Sequence, residues 1–215
     1  MTREVSGLYA VTPDVADTPG LLATAEAVLA GGARLLQYRN KSASTALRLA
    51  QARALLALCR EYQVPLIIND YLDLALALDA DGLHLGAEDG SLAAARARLG
   101  PDKILGASCY DQLQNALQAE RLGADYVAFG SLFSSSVKPG AVRAPLALLR
   151  DAKRRLSAPV VAIGGITLDN APQLIAAGAD GIAVVSALFG ADDVKLAARR
   201  FSALFSRREL ETRDP

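Results

Sequence analysis

The chain has 215 residues, with 23 Lys+Arg against 23 Asp+Glu, one His, two Cys and no Trp. That length suits one large domain whose core needs neither disulfides nor a structural metal. Zero net charge speaks against a nucleic-acid partner held through its phosphates, and a single His excludes a multi-histidine zinc site.

Residues 1–5 carry no apolar signal segment. No run reaches the roughly 18 apolar residues of a membrane span, so a cytoplasmic protein with no membrane partner is expected. Eight short apolar runs follow, at 7–12, 34–39, 65–70, 82–86, 104–109, 126–130, 159–165 and 181–186. Near-continuous apolar runs of this kind suit parallel strands covered on both faces. Helical patterns lie between them, among them 43–62, 111–122 and 169–177. Asp111 is placed to cap the second, and Gly123 and Gly178 stand just past the ends of the second and third. An echo precedes four strands: AGGAR (30–34), LDADG (78–82), LGADY (122–126) and AAGADG (176–181). Each reads as helix end, tight turn, strand start.

Eight strand–helix units of roughly 25 residues predict an α/β fold, a (β/α)8 TIM barrel at the short end of its size range. An open doubly wound sheet has the same alternation, but eight is the number that closes. No GxGxxG follows the first strand, and no linker splits the chain. A single domain is expected over 1–206, with 207–215 a charged, aperiodic and disordered tail. The polar stretch 131–144 is long enough for a functional lid. Cys59 and Cys109 cannot form a CxxC site and are expected to be free thiols.

In such a barrel the chemistry sits at the C-terminal strand ends and the loops after them. Strand two ends Gln37-Tyr38-Arg39-Asn40-Lys41. Alternation puts Gln37, Arg39 and Lys41 on one face, which Leu35 continues into the barrel. Two cations and an amide at the mouth suit phosphate or pyrophosphate; the alternative is a salt-bridged rim. Strand three ends Asn69-Asp70, and the loop after strand four carries Glu88 and Asp89. Asp70 with Asp89 offers oxygen-only ligation suited to Mg²⁺, or two helix caps. Gly164-Gly165 and Val185-Ser186 end the last two strands, where barrels commonly bind phosphate; a plain turn is the alternative. Ser134, Ser135, Ser136 and Lys138 could close over a ligand or form a solvated loop. Ser108 faces the opening or packs at the core edge. His84, between Leu83 and Leu85, is expected to be structural. Two anion sites, one beside a metal pair, and no base dyad favour transfer driven by pyrophosphate departure over hydrolysis or aldol chemistry.

The chain resembles the thiamine-phosphate synthases (thiamine-phosphate pyrophosphorylases) from residue 7 to about 190. The resemblance is carried by GLYAVTPD (7–14), LLQYRNK (35–41) and PLIINDYLDLALALDADGLHLGAED (65–89). It continues through ILGASCYD (104–111), DYVAFGSLFSSSVKP (125–139), PVVAIGGIT (159–167) and DGIAVVSALF (180–189). It implies a transferase of thiamine biosynthesis. The substrates are 4-amino-2-methyl-5-hydroxymethylpyrimidine diphosphate and a thiazole phosphate; the products are thiamine phosphate and pyrophosphate. It further implies that Gln37, Arg39, Lys41 and Asn69 bind the pyrimidine diphosphate, with Ser108 and Lys138 on its diphosphate. Asp70 and Asp89 would hold Mg²⁺. Gly165, Val185, Ser186 and the loop residues Ser134, Ser135 and Ser136 would hold the thiazole phosphate. Tyr38 and Asn40, in the same stretch as Arg39, join the expected substrate set, and Arg39, Lys41 and Lys138 are the expected catalytic cations.

The mechanism implied is dissociative: Mg²⁺ and the cations stabilise departing pyrophosphate, the aminopyrimidine carries the positive charge, and the thiazole nitrogen attacks. Three positions depart from the family pattern: Asn40 where Asp is frequent, Ala87 where Gln is usual, and Val137 within a loop that commonly reads T-x-T-K. Two other functions share the scaffold: a thiazole tautomerase, and a barrel that binds a phosphate ligand without catalysis. Oligomeric state stays open, a homo-oligomer included.

Overall fold

Each of the eight apolar runs forms a strand in the computed structural model, which describes residues 5–134 and 143–211, the side chains of 207–211 excepted. The strands are β1 (Gly7–Val11), β2 (Leu35–Tyr38), β3 (Leu66–Asn69), β4 (Gly82–Leu85), β5 (Ile104–Tyr110), β6 (Tyr126–Phe129), β7 (Val160–Ile163) and β8 (Gly181–Val184). They are parallel and close in chain order, with β8 returning to β1 through the register Gly7↔Gly181 to Ala10↔Val184. The sheet is therefore a (β/α)8 barrel rather than an open sheet.

The helices are α1 (Thr18–Ala30), α2 (Thr45–Glu61), α3 (Leu72–Leu78), α4 (Leu92–Leu99), α5 (Leu113–Arg121), α6 (Leu146–Arg155), α7 (Ala171–Ala176), α8 (Ser186–Phe189) and α9 (Val194–Glu211). Ser44 and Ser91 cap α2 and α4 by accepting from the N–H of Leu47 and Ala94, each worth about 1 kcal/mol. Asp111 does not cap α5. That helix starts two residues later, with Gln112 at the cap position, and the Asp111 carboxylate accepts from the Gln112 amide instead. Gly123 and Gly178 stand past α5 and α7 with φ of 89° and 104°, the left-handed stop that glycine adopts without steric cost. Helix α9 runs to Glu211, five residues beyond the expected boundary at 206. Arg, Glu and Leu are all good helix formers, so a loss of apolar periodicity is not a stop signal. Residues 212–215 lie outside the described residues.

Strand alternation divides the core into two layers. Leu8 and Ala10 of β1 point outward and pack with Leu21, Ala25 and Val28 of α1. Tyr9 and Val11 point inward and pack with Leu35, Ile67, Ile104, Tyr126, Val161 and Ala183. The barrel interior is thus plugged from below, and its mouth lies at the C-terminal strand ends.

The echo before the strands has a structural reason. Asp81 accepts the N–H of Leu66 in β3, Asp125 that of Leu105 in β5, and Asp180 that of Val160 in β7. Each carboxylate satisfies the N–H of the first or second residue of a neighbouring strand at the bottom rim. Arg96 and Lys153 neutralise Asp125 and Asp180.

Candidate functional site

Two openings adjoin at the barrel mouth. A polar cleft of about 170 Å³ is lined by Arg39, Lys41, Asn69, Asp70, Gly86, Glu88, Asp89, Ser108 and Tyr110. A cavity of about 710 Å³ lies beside it. Gln37, His84, Ser134, Gly165, Val185 and Ser186 line this cavity, and Arg39, Asn69, Ser108 and Tyr110 belong to both walls.

The cleft is assembled from the C-terminal ends of β2 to β5 and the loops after them. Asp70 follows β3 with φ of 66°, a conformation uncommon outside glycine that suits a functional turn. Its N–H is held by the His84 carbonyl at 2.9 Å. The Lys41 Nζ lies 3.0 Å from the Asp70 carboxylate. Burial pushes the Asp70 carboxyl above the ordinary carboxylate range; the neighbouring Asp89 adds to the shift and Lys41 opposes it. Lys41 is raised mainly by its hydrogen bond to Asp70. Asp89 is held in turn by accepting the N–H of Gly86 at 3.0 Å. Two neighbouring carboxylates, Asp70 largely buried and Asp89 exposed, answered by one lysine, carry local negative charge that a divalent cation would neutralise. Asp70 and Asp89 fit Mg²⁺, which takes one or two carboxylates and keeps water and phosphate oxygens in its other positions. Among the described residues, no cluster of three or more His, Cys, Asp or Glu side chains is placed to hold a metal.

Arg39 is positioned by a residue that composition alone does not single out. Asp14, after β1, accepts from Arg39 Nη1 at 2.9 Å and from the Lys41 N–H at 3.0 Å. Thr12 closes the same corner, donating to the Arg39 carbonyl and accepting its N–H. The loop after β1 therefore orients both cations of β2. Its sequence signal is the Thr-Pro-Asp turn at 12–14.

Tyr38 and Asn40, of the expected substrate set, lie away from both openings. Parity sends Tyr38 to the outer layer, where its hydroxyl donates to Gln51 at 2.9 Å. Asn40 is buried and donates to the Val15 carbonyl and to Gln51, while accepting from Ser42. Both brace the loop behind Arg39 and line neither opening. The expected contacts from Ser135, Ser136 and Lys138, and the departure at Val137, lie outside the described residues.

At the far end of the cavity, Gly164 and Gly165 have φ of 102° and 62°. A Cβ on Gly165 would stand 2.2 Å from the Ser134 carbonyl oxygen. The glycine is needed because the loop after β6 crosses β7 at this point. Leu132 and Phe133 donate to the carbonyls of Ile163 and Gly164 to fix that crossing. Asn170 holds the Gly165 carbonyl at 2.9 Å, and Arg143 hydrogen-bonds Ser134. The short helix α8 begins at Ser186 directly after β8, so its first turn edges the same cavity.

The floor joins the two ends through a row of polar side chains. Gln37 Nε2 donates to the Tyr9 hydroxyl at 2.8 Å, and Tyr9 and Tyr126 hydroxyls are 2.7 Å apart. Tyr126 meets His84 Nδ1 at 2.9 Å, and His84 Nε2 meets Ser108 at 2.8 Å. Burial pushes His84 down to about 4 and both tyrosines upward. All three are neutral near pH 7. His84 is structural in the sense expected, being satisfied at both nitrogens, yet it also lines the cavity. Tyr9 and Tyr126 escape sequence reading because, inside apolar strands, they read as core.

This architecture places the chain among the (β/α)8 barrels that carry their chemistry at the C-terminal strand ends. A family model described as thiamine monophosphate synthase matches residues 8–188. A thiamine-phosphate synthase of Methylobacillus flagellatus is 61% identical over 210 residues, covering 96% of this chain and 100% of that relative. One of Nitrosomonas eutropha is 56% identical over 202 residues, covering 94% and 95%. A solved thiamine phosphate pyrophosphorylase of Pyrococcus furiosus superposes with a TM-score of 0.85 at 38% identity, covering 96% and 98%. The chain belongs to the thiamine monophosphate synthase family.

Proposed function

We propose that the chain is a transferase forming thiamine phosphate and pyrophosphate from 4-amino-2-methyl-5-hydroxymethylpyrimidine diphosphate and a thiazole phosphate. The observation that carries this is the shared wall: a cleft of cations and carboxylates opens directly into a larger cavity whose far edge is Gly165, Val185 and Ser186. A diphosphate in the cleft and a monophosphate at the glycine edge leave the space between for two rings.

In this reading Arg39 and Lys41 bind the diphosphate, Arg39 held by Asp14 and Lys41 by Asp70. Asn69 and Ser108 meet it from the wall between the two openings. Asp70 and Asp89 hold Mg²⁺, which when bound neutralises charge on the leaving pyrophosphate. Lys138 supplies a further cation. Gln37 faces the pyrimidine, and Ser134, Ser135, Ser136, Gly165, Val185 and Ser186 take the thiazole phosphate. The bond from the pyrimidine methylene carbon to the diphosphate oxygen breaks first, its electron pair leaving with pyrophosphate. The electron-rich aminopyrimidine carries the positive charge, and the thiazole nitrogen then forms the new C–N bond. No strong base is required, in keeping with a His84 that stays neutral well below pH 7.

Purified protein with Mg²⁺ and both substrates is expected to release pyrophosphate, and with either substrate alone to release none. Isomerisation of a thiazole without pyrophosphate release would assign the tautomerase function instead.

A further inference from the structure

We propose that Tyr126 and His84, fed by Tyr9, are positioning residues that turn the Ser108 hydroxyl into a hydrogen-bond donor aimed at the departing diphosphate. The inference rests on the proposed function for its consequence, but its geometry stands alone. It follows from counting hydrogens along the buried row.

Each hydroxyl in the row, and the neutral imidazole, carries one hydrogen. Gln37, 5% exposed, donates its amide N–H to the Tyr9 oxygen. The Tyr9 hydroxyl hydrogen must then go elsewhere, and Tyr126, 2.7 Å away, accepts it. Tyr126 passes its own hydrogen to His84 Nδ1 at 2.9 Å. A neutral imidazole has one N–H and one bare nitrogen. With Nδ1 accepting, the N–H is on Nε2 and donates to Ser108 Oγ at 2.8 Å. Ser108 has then accepted on its inner side, and its O–H is left to point outward. Ser108 lines both the polar cleft and the cavity, so outward is toward the diphosphate.

The opposite direction fails on the same count. If Nδ1 carried the hydrogen, Tyr126 would donate to Tyr9, which already accepts from Gln37. The Tyr9 hydrogen would then have no acceptor within the row and would have to turn into the cavity that Tyr9 lines. The rings hold the alignment: His84 stacks on Tyr126 with centroids 5.5 Å apart, and Tyr9 meets Tyr126 edge-on at 5.8 Å. A donor fixed in advance toward growing negative charge needs no reorganisation when the bond breaks. A serine free to rotate would present a lone pair to phosphate oxygens part of the time.

The test uses the full chain and the fact that His84 is its one histidine. With ¹⁵N-labelled histidine, long-range ¹H–¹⁵N correlation reads a single imidazole. The Nε2–H tautomer is expected at neutral pH and down to about pH 5; the Nδ1–H tautomer overturns the proposal. This readout needs no activity, so it stands even if the protein fails the two-substrate assay. The second arm is a cycle of Tyr126→Phe, Ser108→Ala and the double variant, measured as kcat for pyrophosphate release. Tyr126→Phe is expected to lower kcat about tenfold, with the KM for thiazole phosphate unchanged. In the Ser108→Ala background it is expected to cost no more than about twofold. Losses that multiply, or a Tyr126→Phe enzyme with full kcat, overturn it. If that variant does not fold, the tautomer of the unmodified protein decides.

Discussion

The two rims of the barrel use the same side chain to opposite ends. At the bottom, Asp81, Asp125 and Asp180 each accept a backbone N–H from the start of a neighbouring strand, and Arg96 and Lys153 neutralise two of them. At the top, Asp70 and Asp89 stand beside one another, and burial and mutual repulsion hold the Asp70 carboxyl above its ordinary range. The bottom rim satisfies its charges within the chain. The top rim keeps two carboxylates together at an electrostatic cost, with Lys41 as partial relief. Unfavourable proximity in a cleft is the mark of a site made for a ligand, whereas full satisfaction is the mark of a part made for stability.

That contrast can be broken by mutation. The largest effect is expected from Asp89→Ala, which should lower pyrophosphate release on the order of 100-fold or more while the urea midpoint stays put. Full turnover at low Mg²⁺ would move the metal elsewhere. Next comes acid. Folded His84 stays neutral to about pH 4, whereas the unfolded chain takes up that proton near pH 6.5, so the unfolded state binds more protons across this window. Stability should therefore fall by on the order of 3 kcal/mol as pH drops from about 6.5 to 4. Asp70, raised in the fold, works in the opposite direction and offsets part of the loss. Urea titrations across this range, compared with His84→Gln, check it; equal slopes in both proteins would show that His84 is not the source. The smallest effect is expected at the bottom rim. Asp125→Ala removes the acceptor of Leu105 N–H and the partner of Arg96, which should cost about 2 kcal/mol of stability. The kcat of the folded fraction should not change. Lost turnover in a stable variant would erase the distinction between the rims.

Much of this was legible in the chain itself. The eight strands show because each is buried on both faces, which demands an unbroken apolar run. Arg39, Lys41, Asp70 and Asp89 show because charge directly after such a run lands at the mouth. Tyr38 and Asn40 stand apart from the mouth for a related reason: adjacency to Arg39 in sequence is opposition in space, and both turn toward α2 through Gln51. Tyr9 and Tyr126 hide because a tyrosine inside a strand satisfies the apolar pattern whether or not its hydroxyl is used. Asp14 reaches Arg39 across 25 residues of sequence, a contact made only by pairing β1 with β2.

The sequence alone determined the barrel, its orientation and the kinds of charge at its mouth, since burial periodicity and strand-end position are local properties of the chain. Tertiary structure decided which of those groups face one another. Pairing of β3 with β4 brings Asp70 to Asp89, and closure of β8 onto β1 brings Tyr9 to Tyr126. Those separations fix the proton positions and pKa values, because electrostatic and hydrogen-bond energies depend on distance through space and not on spacing along the chain.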